Sequence, residues 1–115
     1  MLKDELKQFY GTSNYYTITY NTVMTDGVKY FADKAEAYWL ITDIALNSTL
    51  RKELKDETFI VIKTRKKKDG GIIVQYEDGN YNPLLLEEYP YSDLPDNSEF
   101  TLWKEFSTIL LPSEY

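Results

Sequence analysis

The 115-residue sequence contains no cysteine and no histidine. Without cysteine there is no disulfide, no thiolate nucleophile and no sulfur ligand for zinc. Without histidine the chain lacks the side chain that most often acts as general base near neutral pH. Positive charge is also scarce: 13 Lys and Arg stand against 19 Asp and Glu, a formal net charge of −6. That balance argues against general nucleic-acid binding, which needs a basic face to displace counterions from phosphates. Long apolar runs are absent as well. The longest, Ala37 to Ile41, is core-sized and far short of a membrane span. Met1 to Tyr10 carries Lys3, Asp4, Glu5 and Lys7 within its apolar stretch, so it does not read as a secretory signal. There is no phosphate-binding glycine loop, nucleophile elbow or zinc-ligand spacing. These absences predict a cytoplasmic protein with no membrane segment, no cofactor, no metal and no catalytic machinery.

What is present is enough for one self-sufficient domain over residues 1–115, because a chain of this size buries about two thirds of its surface on folding. Leu2, Leu6 and Phe9 have helical spacing, and Gly11 ends that segment. Tyr15 to Tyr20 reads as an extended segment and Thr25-Asp26-Gly27 as a turn. Asp33, with Glu36 three positions on, has the form of a capping box opening the main helix. Val28 to Ala32 forms an earlier helical turn continuous with it. Ala37, Leu40, Ile41 and Ile44 give that helix one apolar face, anchored by Tyr38 and Trp39, and it ends near Asn47-Ser48. Strands are predicted at Phe59–Ile62, Ile72–Tyr76, Leu84–Tyr89, Phe100–Trp103 and Phe106–Leu111, separated by Asp-Gly turns at Asp69-Gly70 and Asp78-Gly79. Tyr89 to Ser98 is a loop. Helices followed by strands predict an α+β domain: an antiparallel meander of four to five strands with one main helix packed on one face.

Several strings resemble a family of small uncharacterised bacterial and phage proteins, a domain of unknown function. They are Leu6-Lys7-Gln8-Phe9-Tyr10-Gly11-Thr12, Thr25-Asp26-Gly27-Val28-Lys29-Tyr30, Ala37-Tyr38-Trp39-Leu40-Ile41 with Asp43 and Ile44, and Leu110-Leu111-Pro112-Ser113-Glu114-Tyr115. The resemblance implies a bacterial or mobile-element setting. It implies no catalytic residues.

Candidate sites can be weighed against plainer readings. Asp78-Gly79-Asn80-Tyr81-Asn82 alternates oxygen ligands like a calcium loop. Pro83 and Tyr89 stand where such a loop needs Gly and Glu, so a hairpin turn is the better reading. Arg65 to Lys68 could grip phosphates, but no aromatics interleave with it, and a solvated hairpin tip is favoured. Thr25, Asp26 and Lys29 read as the start of a helix or a turn before they read as a site. The tail Pro112 to Tyr115 is expected to pack back onto the domain. Glu87, Glu88, Asp93, Asp96 and Glu99 form an acidic stretch, by default a solvated face.

Eleven tyrosines are too many for a domain of this size to bury. Tyr15, Tyr16, Tyr81, Tyr89 and Tyr91 lie in the most polar surroundings, and exposed tyrosine is a favoured interface residue. Charge and tyrosine together predict a non-enzymatic protein-binding module. Its partner-binding residues are Tyr81, Glu87, Glu88, Tyr89, Tyr91, Asp93 and Asp96. The expected partner is a host or phage protein, for example a basic nucleic-acid-binding effector of host defence inhibited in the anti-CRISPR manner, with no direct nucleic-acid contact. A self-assembling structural protein, such as a homodimer, and a carboxylate-based metal-dependent enzyme are the alternatives.

Overall fold

The computed structural model describes residues 2–92, 94–95 and 98–115. Leu2, Leu6 and Phe9 behave as their spacing predicts. A short helix α1 (Leu2–Glu5) runs into a 3-10 turn (Leu6–Gln8), Leu6 enters the core, and Leu2 and Phe9 pack on its margin. Two three-residue strands follow, β1 (Tyr15–Thr17) and β2 (Val23–Thr25), then helices α2 (Asp26–Lys34) and α3 (Tyr38–Leu50). The remaining strands are β3 (Phe59–Lys66), β4 (Ile72–Glu77), β5 (Pro83–Tyr89), β6 (Glu99–Glu105) and β7 (Thr108–Leu110), and a 3-10 turn (Pro112–Glu114) closes the chain.

The α+β class and the β3–β4–β5 meander agree with the sequence reading, but the sheet is larger than four to five strands. Seven strands form one sheet in the order β1-β2-β7-β6-β3-β4-β5. It is mixed rather than antiparallel throughout, because β2 runs parallel to β7, with Val23 opposite Thr108 and Met24 opposite Ile109. Strands of three residues are too short for a period of two to show in a sequence: the extended segment read at Tyr15 to Tyr20 shortens to β1, and β2 begins in residues that carried no reading and ends at Thr25, read as a turn.

The single main helix is also corrected. α2 ends in a Schellman motif in which the Ala37 amide donates to the Ala32 carbonyl at 2.9 Å and Glu36 adopts φ 52°. Glycine usually fills that left-handed position, and glutamate there hides the break. The Asp33–Glu36 capping box therefore does not form. Asp33 lies in the last turn of α2, where it accepts from Lys29 Nζ at 3.0 Å and from the Tyr38 hydroxyl. The cap of α3 is Ala37, with no side-chain hydrogen bond.

Both helices contribute to one core against one face of the sheet. Phe31 of α2 meets Phe100 of β6 at 4.9 Å between ring centroids. Leu40, Ile41 and Ile44 of α3 are fully buried with Ile60, Ile62, Ile72, Val74 and Leu102. Each such side chain contributes about 1.5–3 kcal/mol by leaving water. Of the two residues expected to anchor the helix, Trp39 packs edge-on against Tyr89 at 5.1 Å, whereas Tyr38 lies outside the core, 42% exposed. Among the described residues no α-helix covers the opposite sheet face. There Phe59, Trp103 and Tyr115 form an aromatic cluster with centroids 5.2–6.3 Å apart, so the C-terminal ring packs back onto the sheet.

Candidate functional site

β5 is an edge strand, paired only with β4, and it carries most of the predicted partner-binding residues that are described. Strand alternation divides them between two faces. Glu87 and Tyr89 lie opposite the buried Val74 and Ile72 and turn towards α3. Asn47 Nδ2 donates to Glu87 Oε1 at 2.6 Å and to the Tyr76 hydroxyl at 3.2 Å, while the Tyr89 hydroxyl donates to Asp43 Oδ2 at 2.9 Å. Burial, then the Asp43 carboxylate, pushes the Tyr89 hydroxyl well above the usual tyrosine range. Asp43 and Asn47 are four apart on α3 and so share a side of it. Sequence reasoning assigned them no role, and a polar i,i+4 pair beside the apolar face of Leu40, Ile41 and Ile44 was the available signal.

Glu88 lies on the other face, 3.6 Å from Lys67 Nζ, with its side chain 59% exposed. Leu86 shares that face and is 57% exposed. Tyr81, 80% exposed, stands in the turn before β5, and Tyr91, 70% exposed, follows its end. Tyr81 also covers Lys63, whose Nζ lies 5.6 Å from the ring centroid and 3.2 Å from the buried Glu77 Oε1. Asp93 and Asp96 lie outside the described residues. Glu99 is the exposed first residue of β6. Of the predicted residues, Tyr81, Glu88 and Tyr91 are thus exposed, with Leu86 beside Glu88 on the same face, whereas Glu87 and Tyr89 serve as struts to α3.

A second polar cluster joins three of the strings that carried the family resemblance. Thr25 caps α2, its Oγ1 accepting from the Val28 amide at 3.3 Å. Asp26 accepts from the Ser13 amide at 2.9 Å, the Asn14 amide at 3.3 Å and the Tyr16 hydroxyl at 2.8 Å. These donors, the Ser13 amide first, hold its carboxyl below the usual range. The Asp26 amide donates in turn to Thr12 Oγ1 at 2.9 Å. Glu114 Oε2 accepts from the Gly27 amide at 3.0 Å, and its Oε1 accepts from the Thr25 hydroxyl at 2.6 Å and the Leu111 amide at 2.9 Å. A Cβ on Gly27 would stand 2.6 Å from Leu111 Cδ1 and 2.7 Å from Glu114 Oε1, so only glycine lets the tail approach. These residues tie the chain together, which is a structural task.

The basic run does not act as one patch. Lys66 Nζ donates to the Ser92 and Leu94 carbonyls, at 2.5 and 2.7 Å, and holds the loop after β5. Lys67 sits 3.6 Å from both Asp69 and Glu88, and Lys68 is exposed. Asp78 is used within its own turn: Oδ1 accepts from the Asn80 and Asn82 amides at 2.8 and 3.0 Å, and Oδ2 accepts from Asn82 Nδ2 at 2.9 Å. Among the described residues no group of three or more Asp and Glu is placed to hold a metal ion, and no helix is long and apolar enough to cross a membrane.

No curated protein and no solved structure matches this chain. Residues 1–115 do match a family described only as of unknown function (DUF6876), and the chain belongs to that family.

Proposed function

We propose that this protein is a small, acidic, non-catalytic protein-binding module that docks its partner along β5. The observation that carries this reading is the exposed strip on an edge strand, from Tyr81 (80% exposed) through Leu86 and Glu88 to Tyr91 (70% exposed). Tyrosine provides large contact area with few torsions to freeze, and an unpaired strand edge offers main-chain donors and acceptors to an approaching chain. With a net charge of −6, the molecule attracts a basic partner from a distance. In the bacterial or mobile-element setting suggested by its sequence strings, the narrower form of the proposal is a cytoplasmic inhibitor of a defence effector. Its acidic surface would then compete with nucleic acid for a basic channel.

The test is a tagged pull-down from the native host, with and without nuclease, read by mass spectrometry and repeated with Tyr81→Ala/Tyr91→Ala. One stoichiometric protein that survives nuclease and is lost with the double variant supports the proposal. A partner retained by the variant moves the site elsewhere. Recovery of the protein only with itself favours self-assembly.

A further inference from the structure

β6 spans seven residues, Glu99–Glu105, but β7 covers only its last three, Trp103–Glu105. Continuing that register would place Leu111 opposite Leu102 and Pro112 opposite Thr101. The chain does not continue as a strand. Pro112 has no amide to donate, a 3-10 turn begins there, and Glu114 is drawn away to Thr25 and Gly27. On the β7 side, therefore, Glu99 to Leu102 have no strand beside them, although β3 pairs with all four on the other side.

A cleft of about 540 Å³ occupies the place of the missing strand. Its floor is Glu99 to Leu102, and its walls include Leu6 from the N-terminal 3-10 turn, Leu111 from the tail, and Lys3 and Lys7. Lys7 lies 3.3 Å from Asp4 in an exposed pair, a contact of little energy. Lys3 has no salt-bridge partner among the described residues.

We propose that this cleft receives an extended peptide segment of a partner protein as an added strand along Glu99 to Leu102, in line with β7, and that the segment is apolar beside Phe100 and Leu102 and acidic where it runs past Lys3 and Lys7. The geometry selects the occupant. An open strand edge presents main-chain groups at the spacing of a β-ladder, and only an extended chain can answer them all. Four residues of edge correspond to about 14 Å of strand, the reach of a short linear segment. Side chains beside Phe100 and Leu102 fall on the core side, next to Leu6 and Leu111, and must be apolar. Lys3 and Lys7 stand on the same N-terminal turns as Leu6 and select acidic residues where the segment runs past them, whereas Glu99, on the other face with Thr101, disfavours acid directly beside it. This site is separate from the β5 strip and does not depend on it.

The test uses the full chain and an array of synthetic eight-residue peptides with two apolar residues spaced two apart and flanked by Asp or Glu, beside a matched array with Lys in the acidic positions. Binding confined to the acidic array is expected. For the best peptide, amide shifts in the NMR spectrum should centre on Glu99 to Leu102. Two discriminating variants follow. Lys3→Glu/Lys7→Glu, both on the surface, should weaken binding about tenfold while leaving the fold unchanged. N-methylation of the peptide at alternate residues should abolish binding in one phase and spare it in the other, because only one set of amides faces β6. No binding from either array overturns the proposal, as does binding indifferent to N-methylation or shifts centred elsewhere. A peptide-independent dimer that masks the same amides also overturns it and makes a second copy the occupant.

Discussion

Glu114 caps the amino end of α2 from 87 residues away: its carboxylate accepts from the Gly27 amide at 3.0 Å and joins the last turn of the chain to the first long helix. The same carboxylate takes the Thr25 hydroxyl and the Leu111 amide. Substitution Glu114→Ala should therefore destabilise the protein by about 1–2 kcal/mol, as loss of a helix cap does, measured by urea unfolding. Gly27→Ala should cost about 1–3 kcal/mol by forcing Leu111 and Glu114 aside. Because both changes break one contact, the double variant should be clearly less damaged than the sum of the singles. Simple additivity would show that the cap and the close approach act separately.

Asp26 is one of several carboxylates held below the usual range, with Asp33, Glu53, Asp69 and Asp78, and it gathers several donors. Its folded value lies below the usual 3.8, chiefly because of the Ser13 amide and the Tyr16 hydroxyl. A lowered carboxylate contributes stability that is fully present above its unfolded value and is lost as pH falls through the folded one. Asp26→Asn should be less stable than the parent at neutral pH, and the gap should close below about pH 4. Urea midpoints measured from pH 7 downward check this; a gap that stays constant with pH would remove Asp26 from the account.

At the alkaline end the sign reverses. Tyr76 and Tyr89 both titrate above the usual 10.0 in the fold, first because burial disfavours the phenolate. Groups raised in this way contribute stability that is present below the unfolded value and lost as pH climbs through the folded one. Stability should fall above about pH 10 as the unfolded chain releases these protons. Tyr89→Phe should cost about 1 kcal/mol at neutral pH, through the lost Asp43 hydrogen bond, and should show a shallower alkaline fall. Tyrosinate absorbance followed alongside unfolding measures both.

The β5 residues should separate into two classes in an alanine scan. Tyr81→Ala should shift stability by no more than about 0.5 kcal/mol, and both Tyr81→Ala and Tyr91→Ala should act on partner binding. Tyr89→Ala should cost about 3 kcal/mol, because its ring packs on Trp39 and its hydroxyl holds α3. Thermal unfolding of the three variants in parallel distinguishes the classes, and equal losses would contradict the assignment of faces.

The parts of this fold legible from sequence were those with local signals. Runs of β-branched residues marked β3 and β4, Asp-Gly marked both hairpin turns, and Pro83 marked the start of β5. The parts that were not legible depend on distant partners. β2 is a strand because Val23 and Met24 find Thr108 and Ile109. The end of α2 was hidden by glutamate in a position that favours glycine. For the candidate site, sequence reasoning found exposed tyrosines at both ends of β5. It could not divide Glu87 from Glu88, because which face of a strand is covered depends on where α3 lies.

The parallel pairing of β2 with β7 also sets a timetable. Residues 23–24 can complete their place in the sheet only with residues 108–109. Contacts of such separation are slow to close, since the loop entropy is lost before the pairing repays it. During synthesis the β1–β2 hairpin and the start of α2 must wait for the last strand and for Glu114 before they are anchored. Docking of the N-terminal third is then a late event, governed by emergence of residues 108–114 rather than by local helix formation.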